Sequence, residues 1–380
     1  MAFADETHGY LIVDEGTSGG VFVTADGGET FTHVPSAKLP AKNWTGLFVL
    51  DRNVAFVSAL GVGADKQVVA ETADGGAHWT LQTVTTTDPA AGYVQLTKVV
   101  FTDATHGYAA GTEDETGTGN FVDTPALYKT TDGGSAWVAA NAPRTGGKKV
   151  VALAFTDAAT GVAATDGEDT AIYRTTDGGA SWNPVHAAAD AIAEVRFIDA
   201  MNGFAVTAKE LLVTTDAGAH WTASGTELPT ASLGGESFLG TRTGLLSSAG
   251  GVAPWIWRTV DGGASWQPEA TPTGWTGAVA CVAYASATTQ FGASSTATET
   301  RPLKYAPSSP LDAGAGVPDA APSLDAPTGP DAGSGDGEPK GGAQGCGCRA
   351  AGSRSVPTAM LLVAALGLVL RGRRKPRGAA

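Results

Sequence analysis

The chain has 380 residues, among them 52 glycines and only 3 cysteines, and its 38 acidic side chains outnumber 24 basic ones for a net charge of −14. So acidic a chain excludes nucleic acid as a partner, because phosphate binding needs clustered Lys and Arg. Two of the cysteines, Cys346 and Cys348, lie near the C-terminus, so the long N-terminal part is not a disulfide-stapled scaffold. At roughly 300 residues that part can bury a sufficient core without bridges.

The chain opens with the phrase FADETHGY at 3–10, which returns as FTDATHGY at 101–108, FTDAATGV at 155–162, FIDAMNGF at 197–204 and, more worn, FLGTRTGL at 238–245. Alternating apolar residues precede it, such as Val99 before Phe101 and Val195 before Phe197, and a small-residue apolar run follows. The pattern predicts strand, glycine-containing turn, strand. MAFADETHGY has neither the basic n-region nor the apolar h-region of a secretory leader, and it starts where an innermost strand would already be ending. The natural protein is therefore expected to begin upstream, with a signal peptide and further strands.

A second phrase follows the first and is written six times: TADGGETF at 24–31, TADGGAHW at 72–79, TTDGGSAW at 130–137, TTDGGASW at 175–182, TTDAGAHW at 214–221 and TVDGGASW at 259–266. Its aspartates are Asp26, Asp74, Asp132, Asp177, Asp216 and Asp261, at steps of 48, 58, 45, 39 and 45 residues. That period marks a repeat architecture. A short apolar run stands before each copy, glycines that accept positive φ come after the Asp, and an aromatic anchor closes it. In such a turn the carboxylate accepts backbone N–H bonds and holds the hairpin shut, so the six aspartates read as structural. Two worn units, 46–60 and 279–305, complete the series; Cys281, in the apolar run AVACVAY of the latter, reads as a small buried hydrophobe.

Over roughly residues 1–305 the six copies resemble the Asp box, or BNR repeat, of sialidases, some glycoside hydrolases, sortilin-type receptors and photosystem II assembly-factor-like proteins. The F-x-D phrase before each box is most similar to the photosystem-assembly-factor branch. The resemblance implies a β-propeller in which the box is the turn between the two outer strands of a blade. Six full repeats and one partial one predict an all-β fold, a seven-bladed propeller with four-stranded blades.

Residues 1–305 carry no enzyme signature. Sialidase chemistry needs converging arginines, and of the seven present Arg174 and Arg258 occupy equivalent repeat positions, while no Arg-Ile-Pro motif occurs. His8 and His106 share one repeat slot, His78 and His220 another, and no metal-ligand spacing or G-x-S-x-G elbow appears. No catalytic residue, metal or cofactor is expected. A glycoside hydrolase using paired carboxylates is the alternative. What remains is binding, on the face opposite the repeated turns. The stretch 111–126 is longer than its counterpart in the next repeat and holds Glu113, Asp114, Glu115 and Asp123. It reads as a solvated acidic loop, with Asp114 and Glu115 the residues that a calcium ion or partner would use. Trp44 and Trp275 lie in connections on that same face, placed either to stack on a ligand or to pack between blades.

Past 305 the composition changes. Residues 1–305 carry 16 Lys/Arg against 32 Asp/Glu; 306–344 is Pro, Gly, Ala, Ser and Asp with almost no large apolar side chain; 345–380 has seven Lys/Arg and no acid. The segment 306–344 cannot bury enough surface to order and is expected to be a disordered stalk. The motif 345–348 (Gly345, Cys346, Gly347, Cys348), an apolar helix at 356–370 and the basic tail 371–377 resemble the myxobacterial C-terminal sorting signal, MYXO-CTERM. At 15 residues the apolar span is shorter than the ~20 of a full crossing. The resemblance implies a sorting protease acting at the Gly-Cys motif, membrane contact through the helix, and attachment at the cell surface or outer membrane. The chain as a whole is thus expected to be an exported, non-enzymatic binding or assembly module whose ligand is a protein or a polysaccharide.

Overall fold

Wherever the sequence alternates apolar and small residues the backbone extends, and wherever a repeat phrase falls it turns back. The computed structural model describes residues 1–305 apart from residue 41 and the segments 15–19, 63–64, 87–90, 115–122, 144–146, 168–169, 208–209, 228–232, 240–241, 249–255, 262–264, 270–277, 285–289 and 296–299, and beyond them Ala343–Gly345 and Cys348–Arg349. All regular structure among the described residues is strand. The expected stalk, but for its last two residues, and the expected helix 356–370 and basic tail lie outside them.

The first meander is β1 (Ala2–Phe3), β2 (Gly9–Asp14), β3 (Gly20–Thr24) and β4 (Thr32–His33). The second is β5 (Trp44–Val49), β6 (Ala55–Val62), β7 (Val69–Thr72) and β8 (Thr80–Gln82), with a short β9 (Val84–Thr85) behind it. Next come β10 (Tyr93–Phe101), β11 (Gly107–Asp114), β12 (Asp123–Thr130) and β13 (Trp137–Ala140). They are followed by β14 (Gly147–Phe155), β15 (Gly161–Gly167), β16 (Ala171–Thr175) and β17 (Asn183–Ala187). Then β18 (Ile192–Phe197), β19 (Gly203–Thr207), β20 (Glu210–Thr214) and β21 (Thr222–Glu227) form one sheet. Another holds β22 (Leu233–Leu239), β23 (Thr243–Ser248), β24 (Ile256–Thr259) and β25 (Gln267–Glu269). The last has β26 (Ala278–Tyr284), β27 (Gln290–Ser295) and β28 (Thr300–Tyr305).

Within each meander consecutive strands pair antiparallel, and pairing of β6 with β10 fuses the second and third into one larger sheet. First strands of successive meanders are neighbours: β1 with β5, β5 with β10, β10 with β14, β14 with β18, β22 with β26, and β26 back against β1. The arrangement is propeller-like. The C-terminal segment returns to it as β29 (Ala343–Gly345), antiparallel to β5, and β30 (Cys348–Arg349), parallel to the end of β2.

The core is a set of apolar layers between neighbouring sheets. One unites Phe48, Phe56, Leu96, Phe101, Tyr108, Leu127, Trp137 and Leu153; another joins Ala164, Ile172, Val195, Leu212 and Trp221. Rings interleave from sheet to sheet: Phe56 stacks on Phe101 at 4.0 Å between centroids, and Tyr108 on Phe155 at 3.8 Å. Side chains on the opposite faces of one strand thus feed two layers.

Six of the first strands share a feature that no sequence pattern announced. Each skips a residue in its register with the second strand: Thr45 in β5, Thr97 in β10, Val151 in β14 (which shifts a second time between Gly147 and Val150), Ala193 in β18, Gly234 in β22 and Ala280 in β26. Such a bulge sharpens the twist and re-aims a side chain. In β5 it turns the Thr45 hydroxyl onto the Leu96 carbonyl at 2.5 Å, tying one first strand to the next.

Candidate functional site

The six Thr-x-Asp turns are built alike, and the residue types explain why. In the fourth, Thr175 Oγ1 donates to Asp177 Oδ1 at 2.8 Å and accepts the Gly179 N–H at 2.9 Å. Asp177 Oδ1 also accepts the Ser181 N–H at 2.8 Å, and Oδ2 the Ser181 hydroxyl at 2.6 Å. The backbone N–H four residues on reaches the carboxylate in all six: Thr30, His78, Ala136, Ser181, His220 and Ser265. The hairpin closes only if the residue after the Asp takes positive φ. Gly178 does so at 67°, whereas the fifth turn has Ala217 at 56°, the one non-glycine with positive φ among the described residues.

These bonds favour the ionised acid, and the turn carboxyls sit low. The hydrogen bond from the Ser181 hydroxyl leads in holding Asp177 at about 2, that from the His220 side chain does so for Asp216 at about 2, and the His78 N–H leads for Asp74 at about 2. Asp26 and Asp132 lie below the usual range through Thr30 and Ala136, respectively. Burial pushes Asp261 up, but the bonds from Ser265 and Thr259 outweigh it and leave it lowered.

The F-x-D phrase forms a second carboxylate-centred turn. Asp103 Oδ1 accepts the N–H groups of Thr105 and His106 at 2.7 and 2.8 Å, and Asp5, Asp157 and Asp199 repeat this. Asp51, in a unit too worn to show the phrase, does it with Asn53 and Val54. The two kinds of turn are then bonded together. Gly27, Gly75, Gly133, Gly178 and Ala217 donate their N–H to the carbonyls of Thr7, Asn53, Thr105, Ala159 and Met201 at 2.8 to 2.9 Å. One face of the molecule is thus a set of paired, self-satisfied turns.

The expected ligand residues fare differently. Trp44 is not in an open connection: it begins β5, is only 3 % exposed, and donates its indole N–H to the Pro40 carbonyl at 3.3 Å, so its ring is not offered to a ligand. Asp114 is likewise no loop residue. It ends β11, paired with Asp123 of β12, and is buried, because the added length of 111–126 goes partly into extending two strands. Trp275 and Glu115 lie outside the described residues. Of the Gly-Cys motif, Gly345 pairs with Leu47 and Cys348 with Val13, while Cys346 and Gly347 lie outside them.

The structure also brings together residues that the sequence did not mark. Lys98, next to the β10 bulge, makes an ion pair with Glu194, next to the β18 bulge, so the pair spans the intervening β14. A cavity of about 670 Å³ opens between the second and third meanders. In its wall the buried Trp137 donates its indole N–H to Gln82 Oε1 at 2.7 Å, and Gln82 Nε2 donates to Glu71 Oε2 at 2.7 Å. Partial burial raises the Glu71 carboxyl, although the Gln82 bond works against it. Asp74 and His78, 2.6 Å apart, line the same space. The repeat did not predict this chain of bonds: the equivalent positions of the sixth box unit hold Arg258 and Glu269, an ion pair, and no other unit has a Glu and a Gln there.

Radially arranged antiparallel sheets with first strands innermost define a β-propeller. Among solved structures the chain is similar to YCF48 bound to D1 peptide, with a TM-score of 0.52 at 15% identity over 77% of this chain and 86% of that one. It is similar too to YCF48 from Cyanidioschyzon merolae, with a TM-score of 0.51 at 16% identity over 76% of this chain and 90% of that one. Puromycin hydrolase complexed with PGG gives a TM-score of 0.58 at 12% identity, over 80% of this chain but 51% of the other. No protein-family model and no curated protein matches the chain. The fold is therefore a β-propeller, as in the YCF48 structures.

Proposed function

We propose that the chain is a non-enzymatic binding or assembly module: a seven-bladed Asp-box propeller, exported and held at the cell surface through a stalk and a MYXO-CTERM-type signal. The observation that carries this reading is the state of the turn acids. Each of the six repeated aspartates is bonded within its own turn and held ionised, which makes these carboxylates scaffold and not reagents. The likeness to YCF48, one structure of which holds a D1 peptide, supports a protein partner over a polysaccharide. A fold does not fix a function, and the partner here is this protein's own.

The test is a glycoside hydrolysis screen run beside a glycan array and a pull-down from the cell surface, all with the full chain. Capture of a protein partner without turnover supports the proposal. Turnover of any glycoside overturns it in favour of a carboxylate-pair hydrolase. Binding on the array without turnover keeps the module and makes it a lectin.

A further inference from the structure

We propose that the cavity between the second and third meanders is a binding site for a cationic side chain, the ammonium of a lysine or the guanidinium of an arginine. The inference deepens the binding-module reading and rests on it.

The volume, about 670 Å³, is that of a small-ligand pocket. Its polar wall is one-sided. Glu71 and Asp74 contribute carboxylates and Thr80, Thr83 and Ser135 hydroxyls, while no Lys or Arg lines it. Asp74 already has its own turn and His78 as partners. Glu71 has the Gln82 amide on Oε2, and that amide is itself fixed, 7 % exposed and anchored by Trp137. The carboxylate is thus aimed and held by a rigid neighbour yet partly withdrawn from water beside an empty space. A carboxylate in that position is stabilised by an incoming cation, which restores what burial removes. Its raised titration agrees with this.

The same wall argues against a sugar. Trp137 is 1 % exposed and offers no ring face for stacking. It argues against anions, since two acids face the cavity and the one imidazole there, His78, is already held by Asp74. Val138, about half exposed beside the opening, suits the methylene stem of a lysine or arginine.

The test titrates the full chain with an acetylated, amidated Ala-Lys-Ala peptide, its arginine and norleucine analogues, and free spermidine, at about 0.15 M salt so that diffuse attraction is screened. Calorimetry gives the affinity. Binding of the lysine or arginine peptide but not the norleucine one, weakened roughly tenfold or more by Glu71→Gln, supports the site. Glu210→Gln, on β20, removes the same charge elsewhere and is expected to change nothing. Thr83→Arg, at an exposed lining position, is expected to abolish binding without unfolding the chain, which guards against a Glu71 variant that fails to fold. Spermidine binding with no peptide binding would keep the cation site but overturn the side-chain assignment. No cation binding, or equal weakening by Glu71→Gln and Glu210→Gln, would overturn the site. A partner captured in the pull-down alongside that failure would leave the module reading standing.

Discussion

The ring of Phe101 lies directly on the α-carbon of Gly107 across the β10–β11 pair, so that a β-carbon there would sit 2.6 Å from the ring. Phe3 on Gly9, Phe155 on Gly161 and Phe197 on Gly203 repeat the contact. The second meander has exchanged both partners at once: Val49 faces Ala55 in the same register. A large ring needs a bare backbone opposite, and a smaller side chain leaves room for a methyl group. Gly107→Ala is accordingly expected to cost about 2 kcal/mol by overpacking. Adding Phe101→Val, which copies the second meander, is expected to be less costly than the sum of the two single changes. A denaturant double-mutant cycle measures the coupling, and strict additivity would refute the account.

The depressed turn acids give stability a pH dependence of fixed sign. A carboxyl lower in the folded than in the unfolded chain stabilises above its unfolded value near 4 and loses that contribution as pH falls through the folded value. For Asp74, Asp177 and Asp216 that window runs from about 4 down to about 2. The urea midpoint should be level above about pH 5 and decline through that window. Asp177→Asn is expected to lower the midpoint at neutral pH and to flatten the acid decline. An unchanged acid slope in that variant would count against the turn bonds as its source.

Ala217 holds a left-handed backbone that the other described turns give to glycine. The conformation costs an L side chain roughly 1–2 kcal/mol, offset in part by the greater freedom of glycine in the unfolded chain. Ala217→Gly should therefore stabilise by about 0.5–1 kcal/mol. Gly178→Ala should move stability the opposite way, by about 1 kcal/mol or more. Both are read from denaturation midpoints.

Lys98 and Glu194 face each other largely out of solvent, at 24 % and 10 % side-chain exposure. Removing one partner leaves the other charge uncompensated, whereas removing both does not. Lys98→Met alone is expected to cost about 2–3 kcal/mol, and Lys98→Met with Glu194→Met less than that. A double variant weaker than either single one would show that the pair contributes more than mutual neutralisation.

Much of the turn face was legible because its determinants are local. Thr, Asp and Gly within five residues suffice to build one turn, and Phe with Gly six residues later suffices for the other. Asp51 stayed hidden only because its unit has lost the flanking Phe and Gly while keeping the carboxylate. The bulges, the Lys98–Glu194 pair and the Glu71–Gln82–Trp137 chain were not legible. The Lys98–Glu194 pair and the Gln82–Trp137 bond depend on which residues of separate repeats meet in space, which no spacing along the chain encodes; the bulges lie within a meander but fall on Thr, Val, Ala and Gly alike, so no residue type marks them. Trp44 is misplaced for another reason: the worn unit is read from residue 46, which leaves Trp44 in the connection before it, whereas the strand starts at the buried Trp44 itself.

In the five described pairs the main-chain bond between the two turns closes within a single meander, from glycine or alanine N–H to the carbonyl of the preceding hairpin. The links from next door are made by side chains: Tyr108 donates its hydroxyl to the Ala158 and Gly178 carbonyls, and Arg174 its Nε–H to that of Ala217. A unit could therefore be lengthened, replaced or duplicated at its opposite end without disturbing this one, and the spacings of 39 to 58 residues between successive aspartates are what such tolerance permits. Variation and constancy have been assigned to different sides of the same molecule. A graft of one complete meander into the place of another is the natural way to exploit that division.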